Sequence, residues 1–183
     1  RSYALGTAIA LLYFAGFTAI FFILTLYLQS GLGYSALGAG FAMTPFAVGS
    51  GLGSAAGGRI VARAGRALVV AGLLLVLAGV GAVWLAVHLH PGGGVAWAIA
   101  GPLLVAGTGS GLVIAPNQTL TLSEVPPAEG GSAAGVLQTG QRVGSAVGIA
   151  AVGYVFFAFL SGSGGDWAAA FRSIPHLLPG IPW

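Results

Sequence analysis

A stripe of polar residues within an apolar part of the chain is the first feature whose spacing could do chemistry. It consists of four residues at positions i, i+3, i+4 and i+7: Gln138, Gln141, Arg142 and Ser145. At 100° per residue, these positions fall within one arc of about 100° on an α-helix. Amides, a hydroxyl and a guanidinium on one face can bind the polar groups of a small ligand, or they can bridge neighbouring helices.

The composition indicates that the solvent of this stripe is lipid. Charged residues make up 5% of the 183 residues and hydrophobic residues 57%, whereas an ordinary soluble domain has about 25% charged residues. So few charges cannot cover a soluble surface, and so many apolar residues exclude a disordered chain. The net charge of +3 comes from six arginines, too few to form a nucleic-acid-binding face. We therefore expect an all-α membrane protein.

Five apolar stretches are long enough to cross a bilayer, which takes about 20 residues. They cover residues 4–28, 37–60, 67–87, 95–115 and 132–160. We expect these helices to form a five-span transmembrane half-bundle over residues 1–165. Three prolines in the last nine residues exclude a sixth span there, so residues 166–183 are predicted to be a proline-rich interfacial tail.

The arginines predict the orientation of the helices. Arg1 precedes the first stretch, and a cluster of Arg59, Arg63 and Arg66 follows the second, so both lie on one side. The positive-inside rule makes that side cytoplasmic. We expect a multi-pass protein of the cell inner (plasma) membrane with a cytoplasmic N-terminus. The absence of lysine and the abundance of Ala, Gly and Val favour a bacterial source.

Arg142 lies ten residues after Ser132, which is about 15 Å along a helix and near the middle of a hydrocarbon layer of about 30 Å. A guanidinium at that depth is costly unless it is paired or hydrated. We therefore expect the polar stripe to face a water-filled cavity. The alternatives are that these side chains only bridge helices, or that Arg142 extends to the cytoplasmic interface.

Other polar residues add little chemistry. Asn117 and Gln118 follow Pro116 and either extend the polar pathway or represent ordinary helix-end polarity. The chain has three acidic residues, three histidines and no cysteine, and a serine without a nearby base is not a nucleophile. We predict no catalytic residue, no metal and no cofactor, and hence a protein that is not an enzyme.

One segment carries a family resemblance. Residues 58–66 read Gly-Arg-Ile-Val-Ala-Arg-Ala-Gly-Arg, which resembles the cytoplasmic loop motif Gly-x-x-x-Asp-Arg-x-Gly-Arg of the major facilitator superfamily, in its second copy. Residues 24–49 and 126–150 look like the drug:proton antiporter branch with fourteen spans. The resemblance covers about residues 4–165, and it implies five transmembrane helices of a major-facilitator C-terminal bundle whose last helix is missing.

The resemblance implies part of a proton-coupled multidrug or small-molecule efflux transporter that works by alternating access between two bundles. The implied partners are the lipid bilayer, an N-terminal half-bundle, a small hydrophobic or cationic substrate and protons, with no nucleic acid. Two residue sets are implied. The substrate pathway comprises Gln138, Gln141, Arg142, Ser145, Asn117 and Gln118. The conformational loop motif comprises Gly58, Arg59, Arg63, Gly65 and Arg66.

Two departures from the family pattern qualify this expectation. Ala62 stands where the motif has its aspartate, so the charge pair made through that residue cannot form. No acidic residue lies within the five apolar stretches, so we expect this chain alone to be inactive. The alternative is a non-transporting membrane remnant or a helical assembly subunit, since glycines at spacing four also favour helix association.

Overall fold

The computed structural model describes residues 2–90, 94–123 and 125–162. These residues are almost entirely helical and contain no strand, which confirms the predicted all-α membrane fold. The five long helices are α1 (Ser2–Leu26), α2 (Ala36–Ala64), α3 (Arg66–Leu89), α4 (Val95–Leu122) and α5 (Gly130–Gly162). A π-helical turn, Tyr27–Gly31, continues α1, and a 3₁₀ turn, Pro127–Glu129, precedes α5. The predicted tail, residues 166–183, lies outside the described residues.

Four stretches of the described chain are long and apolar enough to cross a membrane. They are Tyr3–Gly31, Arg66–Leu89, Val95–Leu122 and Pro127–Ala158. The remaining long helix, α2, has 29 residues, or about 43 Å at 1.5 Å per residue. Its many glycines and its two arginines lower its mean hydropathy, although its length suffices for a span. The side chain of Ser35 caps this helix and accepts a hydrogen bond from the Gly38 N–H at 3.0 Å.

The arginine-rich segment is helical where the sequence predicts a loop. The second stretch was expected to end at residue 60, but α2 continues to Ala64, and Gly65 alone separates it from α3. The exposed side chains of Arg59 and Arg63 can reach the membrane surface on their long stems, so these charges do not end the helix. Gly65 makes the turn at a φ of 52°, a conformation that glycine adopts without strain.

The fourth helix also extends beyond its predicted end at residue 115. It contains Pro102 and Pro116 and reaches Leu122. A proline inside a membrane helix is tolerated when neighbouring helices satisfy the freed backbone groups. Pro116 is fully buried, and it faces Gly57 of α2, where an added Cβ would press against the proline ring.

Helices α2 and α4 pack backbone against backbone. A methyl group at Gly49 would collide with the carbonyl of Leu104, and one at Gly53 with the carbonyl of Thr108. In the opposite direction, a methyl at Gly107 would collide with the carbonyl of Phe46. Such small-residue contacts let membrane helices approach closely without a hydrophobic driving force. They make α2 and α4 a closely packed parallel pair.

A second glycine-mediated pair joins α1 and α5. Methyl groups at Gly144 and Gly148 would collide with the carbonyls of Leu11 and Ala15. The glycines at spacing four are therefore used inside the bundle. This internal use removes the main support for an assembly subunit that associates through those same faces.

Candidate functional site

A groove lies between the C-terminal part of α4 and the N-terminal part of α5. Its volume is 310 Å³, and we call it the amide groove because three glutamine side chains line it. The lining residues are Gln118, Leu122, Gly131, Ala134, Gly135, Leu137, Gln138 and Gln141. The glycines and alanines leave room beside the amides, so the groove combines open space with groups that both donate and accept hydrogen bonds.

The helix period positions two of the amides. Gln138 and Gln141 are three residues apart on α5 and therefore project from neighbouring turns of one face. Gln141 is only 9% exposed, while Gln138 is exposed. Gln118 reaches the groove from α4 and is half-buried. The exposure of the three amides thus increases from the buried Gln141 through Gln118 to the exposed Gln138.

Ser145 lies beside the groove and not in its wall. Its Oγ accepts a hydrogen bond from the Thr18 Oγ1 of α1 at 3.0 Å. This hydroxyl therefore bridges α1 and α5, next to the backbone contacts that Gly144 and Gly148 make. Its observed role is that of a helix-bridging group.

Arg142 follows Gln141 in the chain and lies one turn beyond Gln138. It is exposed, and it stands at the midpoint of the candidate span Pro127–Ala158. Long side chains on a helix lean towards its N-terminus, which here is the direction of Gln138. Arg142 is not among the residues that line the amide groove, although its backbone lies one helical turn from Gln138 on α5.

Asn117 points to the other side of α4. Its Nδ2 donates a hydrogen bond to the backbone carbonyl of Gly6 in α1 at 3.0 Å, and the side chain is buried. It lines a separate, mainly apolar cleft of 220 Å³ with residues of α1 and α3. Adjacent helical residues are 100° apart, so the structure brings Gln118 to the amide groove and leaves Asn117 outside it.

The motif residues lie at the same end of the bundle as the amide groove. Gly58, Arg59 and Arg63 belong to the last turns of α2, Gly65 makes the turn, and Arg66 begins α3. Arg66 also lines the cleft that holds Asn117. The motif is therefore a helix–turn–helix corner, and its exposed arginines mark one surface of the molecule.

The structure also shows three buried polar atoms that the sequence did not single out. The Tyr13 hydroxyl, the Ser110 hydroxyl and the Trp84 indole N–H have no hydrogen-bond partner among the described residues. The Tyr13 and Ser110 side chains face each other without reaching hydrogen-bond geometry. No spacing rule separates Tyr13 from its aromatic neighbours Phe14 and Phe17, so only the packing of α1 on α4 identifies this pair.

Comparisons with known proteins give these helices a family. The family model described as Major Facilitator Superfamily matches residues 1–149. The chain is 35% identical over 159 residues to a protein named "Probable actinorhodin transporter" from Streptomyces coelicolor, covering 86% of this chain and 28% of that protein. It is 32% identical over 168 residues to "Cephamycin export protein CmcT" from Amycolatopsis lactamdurans, covering 91% of this chain and 34% of that protein.

The chain thus spans about a third of the length of these curated relatives. Both relatives are bacterial and are named for transport or export, which identifies a chain of a membrane transporter family and not of an enzyme family. Because the family model covers most of the sequence, this chain belongs to the major facilitator superfamily.

Proposed function

We propose that this chain is one half-bundle of an efflux transporter and that the amide groove is the polar part of its substrate pathway. The observation that carries the proposal is the convergence of Gln118, Gln138 and Gln141 from two different helices on one open groove. Pockets that orient small ligands combine apolar walls with a few convergent polar groups. The names of the two relatives, a transporter and an export protein, support the direction of transport.

The mechanism that suits this geometry is alternating access. The half-bundle rocks against a second half-bundle, and the groove between α4 and α5 is exposed first to one side of the membrane and then to the other. The glycine contacts of α2 with α4 and of α1 with α5 keep this half rigid, so motion is concentrated at the interface between halves. The groove opens at the end that carries the exposed arginines, which we assign to the cytoplasm together with the N-terminus.

Proton coupling and the drug:proton antiporter branch with fourteen spans are further parts of this proposal. The five described helices contain no Asp or Glu, so in this proposal the acid that exchanges protons lies outside these five helices. The corner from Gly58 to Arg66 then steadies one conformation by contacts of Arg59 and Arg63 with that half. Ala62 cannot contribute the charge that the family motif places there.

The test is uptake of actinorhodin and of cephamycin, the compounds in the relatives' names, by inside-out vesicles that contain the native full-length protein. We expect accumulation that requires an imposed proton gradient. Replacing both Gln138 and Gln141 by Ala should lower the initial rate at least ~10-fold, because buried polar groups of the substrate lose their partners. The control is Val143→Ala, since Val143 is exposed on the same helix. Wild-type vesicles that accumulate neither compound, or a double variant that transports at the control rate, would contradict the proposal.

A further inference from the structure

We propose that the site selects organic anions, with Arg142 binding a carboxylate or a similar acidic group while the amide groove holds the rest of the molecule. This inference rests on the proposed function, because it takes the amide groove as the substrate pathway. It proposes an anion in place of the small hydrophobic or cationic substrate expected from the sequence.

The distribution of charge along the chain is the first argument. The sequence has three acidic residues, Glu124, Glu129 and Asp166, and none of them falls within the five helices. Arg142 stands at the middle of its candidate span, with no ion pair among the residues that the structure describes. The half-bundle therefore presents a positive charge to its pathway and contains no carboxylate in its helices that would attract a cation.

The position of Arg142 is the second argument. Gln138 and Arg142 are four residues apart on α5, so their Cβ atoms are about 6 Å apart and their side chains share one face. Side chains on a helix lean in one direction, towards its N-terminus, so these two remain neighbours on the same face. A ligand that occupies the amide groove can thus place one acidic group at the guanidinium and its neutral polar groups at the amides.

The chemistry of the four side chains is the third argument. A guanidinium binds a carboxylate through two parallel hydrogen bonds, a geometry that lysine does not offer. Primary amides donate and accept, so they bind hydroxyl, carbonyl or amide groups without preferring a charge. A cationic ligand in the same groove would meet Arg142 at close range in a medium of low dielectric, where repulsion between like charges is strong. The set therefore favours an anion and disfavours a cation.

Two other anions compete with the substrate for the Arg142 guanidinium: a carboxylate from the second half-bundle and the phosphate of a lipid headgroup. Either one would neutralise the guanidinium, and the charge of the substrate would then have no effect on its affinity. A matched series of ligands separates these cases, because a charge preference that depends on Arg142 arises only when the ligand itself contacts the guanidinium.

The experiment measures equilibrium binding to the native full-length protein in nanodiscs of zwitterionic phosphatidylcholine, by fluorescence, and in parallel uptake into inside-out vesicles. The probes share one ring system: anthracene-2-carboxylate, the neutral anthracene-2-carboxamide and the cationic (anthracen-2-ylmethyl)trimethylammonium. We expect the carboxylate to bind at least ~10-fold more tightly than the cation. Arg142→Gln should abolish this preference, Arg142→Glu should reverse it and Arg142→Lys should retain part of it. Val143→Gln serves as the control and should leave the preference intact.

Binding and uptake separate the failure of this inference from the failure of the proposed function. Anion-selective binding that is lost in Arg142→Gln, without uptake in any sample, would support the inference and overturn the transport proposal. Equal binding of carboxylate and cation by the wild-type protein would overturn the inference, as would a preference that survives in Arg142→Gln. The wild-type comparison remains decisive if the Arg142 variants fail to elute as folded protein.

Discussion

At the scale of single residues, Asn117 and Gln118 are neighbours in sequence, but their side chains lie on different faces of α4 and have different surroundings. Gln118 lines the amide groove, whereas Asn117 donates a buried hydrogen bond to the Gly6 carbonyl of α1. Asn117 thereby ties α4 to α1 at the end where the groove opens. We therefore regard its amide as a structural tie, whereas the amide of Gln118 belongs to the proposed substrate pathway.

Asn117→Ala should consequently lower stability and leave ligand selectivity unchanged. Removing the donor deletes the side-chain hydrogen bond that links α4 to α1, while the Gly6 carbonyl keeps its acceptor role within α1, and the loss should cost about 1 kcal/mol in a membrane protein. The matched control is Thr119→Ala, because Thr119 is exposed and its hydroxyl only bonds the Ala115 carbonyl of its own helix. Thermal unfolding in detergent measures both variants. Equal midpoints for Asn117→Ala and Thr119→Ala would show that the tie to α1 contributes nothing.

The sequence predicts part of the candidate site at this scale. The spacing of Gln138, Gln141 and Arg142 already places them on one face of a helix, because the helix period is fixed. The same period cannot decide which face of α4 meets α5, so the sequence grouped Asn117 with Gln118. It also could not decide whether Ser145 faces a cavity or a helix. The hydrogen bond from Thr18 answers that question only once α1 and α5 are packed together.

At the scale of helices, glycines on matched faces determine which helices pair. Gly53 of α2 faces the Thr108 carbonyl so closely that a methyl group would collide with the backbone, whereas a methyl at Gly51 would meet nothing within 4 Å. The two positions lie on the same helix, two residues apart, and differ in surroundings alone. They form a matched pair for testing the contact between α2 and α4.

Gly53→Ala should therefore destabilise the protein by about 1–3 kcal/mol, since forcing extra volume into a packed contact shifts the backbone. Gly51→Ala should be neutral or stabilising by up to about 1 kcal/mol, because alanine favours helix more than glycine does. Thermal unfolding in detergent, monitored by circular dichroism, compares the stability of the two variants. If Gly53→Ala proved as stable as Gly51→Ala, the close approach of the two helices would be wrong.

At the same scale, helix existence is more predictable than helix ends. Apolar runs identify all five long helices because each needs about 20 apolar residues to cross lipid. The end of α2 was placed four residues early because arginines look like a loop in a hydropathy pattern. In the structure, the single glycine at position 65, with its positive φ, ends the helix. Charge marks the membrane surface, whereas backbone conformation marks the helix end.

At the scale of the whole molecule, the arginine-bearing end brings together three features. The exposed Arg59 and Arg63, the corner at Gly65 and the mouth of the amide groove all lie at the C-terminal ends of α2 and α4, since these two helices run parallel. Composition alone predicts that the chain lies in a membrane, but it cannot predict that the groove and the motif share an end. That placement requires the pairing of helices, which depends on contacts between residues far apart in sequence.

The orientation of that end is testable because the 183 residues contain no cysteine, so single cysteines can be introduced into this chain without removing others. Ala62→Cys places a thiol at an exposed position between Arg59 and Arg63, and Gly94→Cys places one at the exposed N-terminal end of α4. The positive-inside rule predicts opposite sides for the two positions. A membrane-impermeant maleimide should label Gly94→Cys in intact cells and Ala62→Cys in inside-out vesicles. Labelling of Ala62→Cys in intact cells would invert the topology and place the arginine-bearing end and the mouth of the amide groove on the outside.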